Sequence, residues 1–396
     1  MDAINSFIQT PAFILNEEEV VRNINGFKSA LDSRFPKNII GYSVKTNSLP
    51  SMLRIAREHG CYAEVVSYHE YRLALAIGFP SSKIIYNGPL KSKETFLEAI
   101  ENGAVVNIEN WREICWLKDL PKDKEYGVGI RININISVVS QEDEACPNDD
   151  SRFGFSYESG ELKMAIDMIK QLGNVRLKGI HSHREPKTRS VGFYSRVIKF
   201  VQNIIIKYGI QLDYWDLGGG FFGMMPGKPS YQNYVDSFYS ALCPELRKLC
   251  FIVEPGNAIV ASGFDYVMEV IDVKEHDGKI YVCTDGTRND VDPFYHKSDY
   301  FKEILPKDQD RKIADKAQIV GGLSCLEYDR LFQLPIGSKK LELGDRIIFH
   351  RVGAYTMTLS PLFIHFLPNV YLQKGNYYQL IRHEWSEKKL LENSIF

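Results

Sequence analysis

The residues of this 396-residue chain that could do chemistry are one lysine and several short segments rich in glycine, histidine and acid, each at the end of a strand-like run. In chain order these segments are Gly41–Asn47 with Lys45, His181–His183, Asp216–Phe221, Glu254–Gly256 and Gly353–Tyr355. Binding of pyridoxal 5'-phosphate would use all of them. That cofactor needs an amine for its aldehyde, a flat side chain over its ring, glycine amides for its phosphate and a carboxylate for its ring nitrogen.

The first two-thirds of the chain alternates between short apolar runs and stretches with helical periodicity. The eight strand-like runs cover residues 39–45, 62–66, 83–87, 104–108, 126–135, 175–183, 214–218 and 250–254. This alternation predicts an α/β fold, a (β/α)8 barrel of the TIM type, over residues 16–262. An open doubly wound sheet would give a similar pattern, so both architectures remain open at this point.

The sequence pattern changes after residue 262, where strand-like runs continue with little helical periodicity between them. These runs cover residues 266–273, 279–284, 317–320, 346–349 and 370–372. They predict a second, mostly β domain, a β-barrel or sandwich, over residues 263–396. Residues 8–15 are also strand-like and precede the first long helical stretch, so we expect residues 1–15 to join that domain.

The candidate site residues fall where a barrel collects its functional side chains, at the carboxyl ends of the strands. Lys45, His183 and Glu254 end the first, sixth and eighth runs, while Gly218–Gly220 end the seventh. Arg131 lies within the fifth. Each residue alone has an ordinary structural explanation, such as a solvated lysine, a helix cap or a core histidine. Their shared position predicts one site.

Bulk properties exclude several classes of function. A formal net charge of -2 gives no electrostatic reason to expect nucleic acid or an anionic membrane as a partner. No apolar run is long enough to span a bilayer, and the N-terminus lacks the pattern of a secretory signal. The seven cysteines include no CxxC pair, which argues against a disulfide framework or a zinc site. We expect a cytoplasmic protein without a metal centre.

In this order and spacing, the segments resemble the alanine-racemase-like, fold-type III enzymes that use pyridoxal phosphate. The similarity is greatest to the branch containing diaminopimelate, ornithine and arginine decarboxylases, and it extends from Thr10 to Thr356. The resemblance implies that Lys45 bonds covalently to the cofactor and that Glu254 meets its ring nitrogen. Racemases of this fold usually place an arginine there, so Glu254 favours decarboxylation.

Further roles are implied by the same resemblance. His183 would lie over the cofactor ring, Gly218–Gly220 and Tyr355 would hold its phosphate, and Arg131 would lie near it. The segment 321–329 resembles the decarboxylase motif whose cysteine comes from the partner subunit of a homodimer with shared active sites. Cys325 of that motif would protonate the carbanion left when carbon dioxide departs.

Two departures from the family pattern concern the phosphate. His183 is followed by Arg184-Glu185-Pro186 where the family has a glycine and a phosphate-binding serine, so Ser190 or another nearby group is the candidate replacement. The family also commonly has an arginine near the phosphate where this chain has Asn257.

Other departures concern the substrate. Leu326 stands where the family usually has an acid, the acid one place later is Glu327, and His296 replaces a second acid of ornithine-type enzymes. Residues 292–295 lack the arginine that binds the distal carboxylate of diaminopimelate, although Arg288 lies close enough in sequence to replace it. We therefore predict a non-standard amino-acid substrate with an anionic or acylated tail, as in siderophore or other secondary-metabolite pathways. Arg288, His296 and Glu327 are its candidate contacts.

Two alternatives to an amino-acid decarboxylase remain. An amino-acid racemase or epimerase on the same fold could use Lys45 and Cys325 as acid and base on opposite faces of the α-carbon. A catalytically silent homologue that only binds pyridoxal phosphate is the other. Release of carbon dioxide would distinguish an amino-acid decarboxylase from both alternatives.

Overall fold

The computed structural model describes residues 7–143, 151–392 and 394–395. The chain forms two compact units. One is Val21–Ile259, and the other combines the described residues of Met1–Val20 and Val260–Phe396.

The strands are β1 (Ala12–Asn16), β2 (Asn38–Ser43), β3 (Tyr62–Ser67), β4 (Ile84–Leu90), β5 (Val105–Ile108), β6 (Tyr126–Asn133), β7 (Phe155–Ser156), β8 (Val175–His181), β9 (Tyr214–Asp216), β10 (Cys250–Val253), β11 (Phe264–His276), β12 (Lys279–Thr284), β13 (Lys302–Leu305), β14 (Gln318–Gly321), β15 (Arg330–Leu334), β16 (Arg346–His350), β17 (Asn369–Lys374) and β18 (Tyr377–Arg382). The helices are α1 (Glu17–Asp32), α2 (Pro50–Glu58), α3 (Tyr68–Ala76), α4 (Lys93–Glu101), α5 (Trp111–Trp116), α6 (Ile136–Val139), α7 (Glu161–Lys170), α8 (Val191–Tyr208), α9 (Tyr231–Ala241), α10 (Asn257–Val260), α11 (Arg288–Val291) and α12 (Glu387–Leu391).

The first unit is a closed parallel barrel. Its strands pair in the order β5-β4-β3-β2-β10-β9-β8-β6, and pairing of β5 with β6 closes the ring, while the short β7 adds to the outside of β6. The barrel prediction is therefore confirmed, and the open doubly wound sheet is wrong, because an open sheet would leave β5 and β6 as unpaired edges.

Local sequence explains the barrel elements. Parallel barrel strands are covered on both faces, and β4 accordingly begins with three buried residues, Ile84, Ile85 and Tyr86. The surrounding helices are amphipathic. In α8, the side chain of Ser190 accepts a hydrogen bond from the backbone of Phe193 and caps the start of the helix, which then buries one apolar face.

The second unit is built on a nine-stranded sheet. The main path runs β15-β14-β12-β11-β1-β17-β18, and β16 pairs with both β11 and β13. The N-terminal strand β1 lies antiparallel to β11 and parallel to β17, so it joins this sheet as predicted. Among the described residues, no helix has the length and apolar character that crossing a bilayer requires.

Candidate active site

Lys45 lies in a single helical turn, Val44–Thr46, that follows barrel strand β2. Its amine donates hydrogen bonds to the Oγ of Ser43 at 2.7 Å and to Oε2 of Glu64 at 2.8 Å. The Lys45 side chain is 36% exposed, whereas that of Glu64 is 1% exposed. The amine is thus held by a buried carboxylate and remains accessible to a small molecule.

Glu254 follows strand β10 and is buried among polar groups. Asn87 donates a hydrogen bond to its Oε1 at 2.5 Å, and Nε2 of His181 lies 3.5 Å from its Oε2. The carboxyl of Asp216 is close by, since ligand-type atoms of His181, Asp216 and Glu254 all lie within 4.8 Å of one another. Burial, and then the charge of Glu254, raise the pKa of Asp216 well above its ordinary value. Asp216 therefore holds a proton more readily than an exposed aspartate does.

The two histidines of the HSH segment are neutral rings. Burial lowers the pKa of His181 to about 3, and neither of its ring nitrogens has a hydrogen-bond partner among the described residues. Loss of hydration, and then the charge of Arg131, lower the pKa of His183 well below its ordinary value. The two ring planes differ by only 10°. His183 can therefore offer a flat, uncharged face to a ligand.

The glycine segment brings the backbone close to His183 and Glu254. A Cβ on Gly218 would lie 2.3 Å from Nδ1 of His183, and one on Gly219 would lie 2.3 Å from the carbonyl oxygen of Glu254. Any side chain here would therefore displace a site residue. The backbone N–H groups of Gly218 and Gly219 donate to Asp216 Oδ1 and His183 Nδ1. The prediction of a phosphate contact consequently depends on Gly220 and the residues after it.

Arg131, on strand β6, is fixed by a buried ion pair. Its Nη1 lies 3.1 Å from both carboxylate oxygens of Glu109, and the two side chains are 8% and 3% exposed. A second pair, Lys91 with Glu113 at 3.2 Å, is fully buried and joins the first, because the backbone N–H of Glu109 donates to Glu113. These contacts hold the Arg131 guanidinium beside His183. Its Nη2 donates a hydrogen bond to the carbonyl oxygen of His183 at 3.4 Å.

Sequence reasoning missed several polar residues of this site. They are Glu64, Asn87, Asn107 and Glu109, all in or directly after barrel strands, and Asp216 of the glycine segment was given no role of its own. Asn107 donates hydrogen bonds to Asn87 and Asp216 and so connects the strand ends. The available signal was a polar side chain inside an otherwise apolar strand run, a pattern that requires a buried partner.

Ser190, the candidate replacement for the family's phosphate-binding serine, caps a helix instead. Its Oγ accepts the backbone N–H of Phe193 at the start of α8.

The remaining predicted residues belong to the sheet unit. Cys325 is exposed and lines a cavity of about 320 Å³. Arg288 forms an ion pair with Asp292 at 2.9 Å and is 16% exposed. Tyr355 has a left-handed backbone, and it is exposed together with His296 and Glu327.

The barrel residues suit pyridoxal phosphate on their own chemistry. An accessible amine, a buried carboxylate, a neutral flat ring and a glycine cradle that side chains would fill all occur at strand ends of one barrel. In addition, His181 presents buried ring nitrogens without a hydrogen-bond partner in the described chain. Lys45, Glu254, His183 and the glycine segment would hold the cofactor's aldehyde carbon, ring nitrogen, ring face and phosphate in turn.

Known proteins resemble this chain along nearly its whole length. A "probable diaminopimelate decarboxylase, chloroplastic" of Oryza sativa subsp. japonica is 28% identical over 376 residues, which cover 91% of this chain and 74% of that protein. The diaminopimelate decarboxylase of Methanocaldococcus jannaschii is 27% identical over 369 residues, covering 89% of this chain and 83% of the relative. The crystal structure of diaminopimelate decarboxylase from M. jannaschii superimposes with a TM-score of 0.83 over 98% of this chain and 93% of that one, at 24% identity.

The family assignment follows from the barrel itself. The family model described as "Pyridoxal-dependent decarboxylase, pyridoxal binding domain" matches residues 17–261, well over half of the chain. The protein therefore belongs to the pyridoxal-dependent decarboxylases and is a carboxy-lyase whose cofactor is pyridoxal 5'-phosphate.

Proposed function

We propose that the protein removes the α-carboxylate of an amino acid with Lys45 as the covalent anchor of the cofactor and Glu254 as the partner of its ring nitrogen. Bound pyridoxal phosphate withdraws electrons from the α-carbon of the substrate, which makes the loss of carbon dioxide possible. In this account His183 covers the ring, Arg131 lies beside it, and the Gly218–Gly220 turn leaves room for the phosphate, with Gly220 as the glycine whose amide would contact it.

The observation that carries this proposal is the environment of Glu254. Its neighbours are the amide of Asn87, the neutral ring of His181 and the carboxyl of Asp216, whose pKa is raised by burial and then by the charge of Glu254. A carboxylate at position 254 would face the ring nitrogen of the cofactor, and its charge would favour a protonated ring. A protonated ring is the stronger electron sink, and decarboxylation needs it more than racemisation does.

Trapped carbon dioxide tests the reaction type. We expect stoichiometric release of carbon dioxide and a primary amine from the substrate. Inversion at the α-carbon without gas would favour a racemase or epimerase, and bound cofactor without any turnover would favour a silent homologue.

We further propose a homodimer with shared sites, in which the partner subunit's Cys325 protonates the α-carbon after carbon dioxide leaves. The exposure of the Cys325 thiol supports this role, since a proton donor must reach the ligand. Lys45→Ala and Cys325→Ala should each be inactive or severely impaired, and mixing them should restore about a quarter of the sites by random assortment in a two-fold dimer. Failure to recover activity after verified subunit exchange would place the thiol and the lysine in one chain.

For the substrate, we propose an amino acid with an anionic or acylated tail, of the kind used in siderophore-like or secondary-metabolite pathways. Arg288, the candidate anchor for a distal carboxylate of diaminopimelate, is already engaged by Asp292 and by the carbonyl oxygen of Lys297. Leu326 and His296 replace the acids that would receive a cationic tail. Mass spectrometry of the products from carboxylated conjugates, ornithine, lysine and diaminopimelate would identify the preferred class.

Diaminopimelate itself is the second candidate, because the two sequence relatives described above carry the name diaminopimelate decarboxylase. Turnover of diaminopimelate with a kcat/KM at least equal to that of every conjugate would select it and reject the conjugated substrate.

A further inference from the structure

A cavity of about 390 Å³ lies within the sheet unit and shares no residue with the candidate active site. Four apolar side chains, Ile304, Pro306, Leu334 and Leu341, line it together with three cations and one carboxylate. A cavity of this size falls in the range of small-molecule sites, which typically have apolar walls and a few polar groups that orient the ligand. The walls of this cavity therefore suit a ligand with an apolar body.

Arg311 is a buried cation of this lining with one N–H group left over. Its side chain is 2% exposed, and it forms an ion pair with the buried carboxylate of Asp345. Of the five N–H groups of a guanidinium, that on Nε donates to the carbonyl oxygen of Asp308. Nη1 donates to the carbonyl oxygen of Lys340 and to Oδ2 of Asp345, and Nη2 donates to Oδ1 of Asp345. The second N–H of Nη2 has no hydrogen-bond partner among the described residues, so an acceptor on a ligand in the cavity would supply one.

Lys339 and Lys340 add two ammonium groups to the lining. Within the described part of the chain, neither ammonium forms an ion pair or donates a hydrogen bond. The carboxylate of Asp345 is engaged by Arg311 and by the backbone N–H of Glu342. The carboxylate of Glu342 lies 3.7 Å from Arg311 and does not line the cavity. A carboxylate on a ligand would therefore meet two cations that have no acid in contact with them.

The segment that carries the two lysines is fixed by the sheet. Gln318 on β14 is fully buried, donates a hydrogen bond to the carbonyl oxygen of Lys339 at 2.9 Å, and accepts one from the backbone N–H of Leu341 at 2.8 Å. Lys339 also forms an isolated β-bridge with Ile313. Because this backbone is already ordered, ligand binding does not have to order it, and this lowers the cost of binding.

We propose that this cavity binds a small molecule with an apolar body and one carboxylate. The apolar walls receive the body, the ammonium groups of Lys339 and Lys340 attract the carboxylate, and Arg311 offers a directed N–H. The site does not depend on the proposed function, because none of its lining residues is a candidate contact of the cofactor or the amino-acid substrate. The ligand is thus a second small molecule, different from that substrate.

Calorimetric titration of octanoate into the holoenzyme tests this site, with bound cofactor filling the cofactor's own site. We expect saturable binding of one octanoate per chain. Acetate lacks the apolar body, and octylammonium has the same body with the opposite charge. Each of these two compounds should bind at least about tenfold more weakly than octanoate does.

A pair of double variants tests the role of the lysines. Lys339→Gln/Lys340→Gln should bind octanoate at least about fivefold more weakly than the wild type, because two attractive charges are lost. The matched control is Lys388→Gln/Lys389→Gln, which changes two other consecutive lysines of the same unit, on α12 and outside the cavity lining. The control should bind octanoate as the wild type does.

Each outcome decides the proposal. One-to-one octanoate binding that needs both the apolar body and the negative charge, and that weakens in the Lys339/Lys340 variant alone, supports it. Absence of saturable binding, or equal affinity for octylammonium, would overturn it. Octanoate binding that is unchanged in the Lys339/Lys340 variant, or weakened equally in both double variants, would also overturn it. Because the comparison of octanoate with octylammonium uses the wild type, it tests the requirement for negative charge even if a variant fails to fold.

Discussion

The amine of Lys45 lies 2.8 Å from the carboxylate of Glu64, on neighbouring barrel strands whose register pairs Ser43 with Glu64. The Ser43 hydroxyl donates to the same carboxylate oxygen at 2.6 Å and connects the three residues. A buried acid thus positions the lysine that we propose as the cofactor anchor, although the sequence motif around Lys45 does not include this acid.

Replacement of Glu64 by glutamine should impair catalysis without unfolding the barrel. The change keeps the shape of the side chain but removes the charge that holds the Lys45 amine. We expect kcat to fall at least about tenfold, equivalent to about 1.4 kcal/mol of barrier, with the cofactor still bound as judged by absorbance. Glu94→Gln, at an exposed pair with Arg72, is the matched control and should leave kcat unchanged. Equal rates for both variants would contradict a positioning role.

Loss of Glu109 should destabilise the barrel strongly. Glu109→Ala leaves the guanidinium of Arg131 buried without its acid, and breaking a buried pair in this way costs about 3–5 kcal/mol of unfolding free energy. Asp167→Ala removes an exposed pair with Lys163 and should cost less than about 1 kcal/mol. Urea unfolding of the two variants measures the contrast. Similar midpoints would show that the Arg131 pair contributes no more than a surface contact.

His181 should make stability depend on pH. Its pKa in the folded protein is lowered to about 3, so the unfolded chain binds the proton more readily. The contribution of His181 to the free energy of unfolding is therefore present above about pH 6.5 and is lost as pH falls toward about 3. Between about pH 7.5 and about pH 5 the loss of unfolding free energy from this residue is about 2 kcal/mol.

The variant His181→Gln isolates this effect. Urea unfolding of both proteins at about pH 7.5 and about pH 5 should show that the variant loses about 2 kcal/mol less than the wild type over that interval. Because the change between the two pH values is compared within each protein, any pH-independent cost of burying glutamine cancels. An identical pH-dependent loss in both proteins would mean that His181 titrates normally in the folded state.

Addition of one methyl group to Gly218 should disturb the site more than the same change elsewhere. Gly218 has φ +78, and its Cβ would meet the ring of His183 at 2.3 Å, whereas Gly160 has φ +83 with nothing within 4 Å. Gly160→Ala therefore reports backbone strain alone, about 1 kcal/mol. Gly218→Ala should cost clearly more and should weaken the binding of pyridoxal phosphate by apoenzyme. Equal stability and equal cofactor affinity in the two variants would contradict the cradle.

The sequence predicted the barrel and the residues that lie together at the carboxyl ends of its strands. The reason is physical. Parallel strands in a closed barrel end at one face, so Lys45, His183 and Glu254 need only their strand positions to be placed at the same edge. The partners of these residues could not be predicted in the same way. Contact of Ser43 with Glu64 depends on strand register, which the alternation of apolar runs does not determine.

The glycine segment shows a similar limit. The family resemblance implied a role at the cofactor phosphate, but the hydrogen bonds of the Gly218 and Gly219 amides to Asp216 and His183 depend on the conformation of the turn. Ser190 likewise reads as a possible ligand in the sequence, while its place one residue before α8 makes it a helix cap. In both cases a local backbone geometry decides between two chemically reasonable uses of the same residue.

The central claim is that Lys45 carries the cofactor covalently, and peptide mass spectrometry after borohydride reduction tests it most directly. Holoenzyme should absorb visible light, lose that absorbance on reduction, and yield a phosphopyridoxyl group on the peptide that contains Lys45. The group on any other lysine, or no labelled peptide from protein that contains stoichiometric cofactor, would contradict the account.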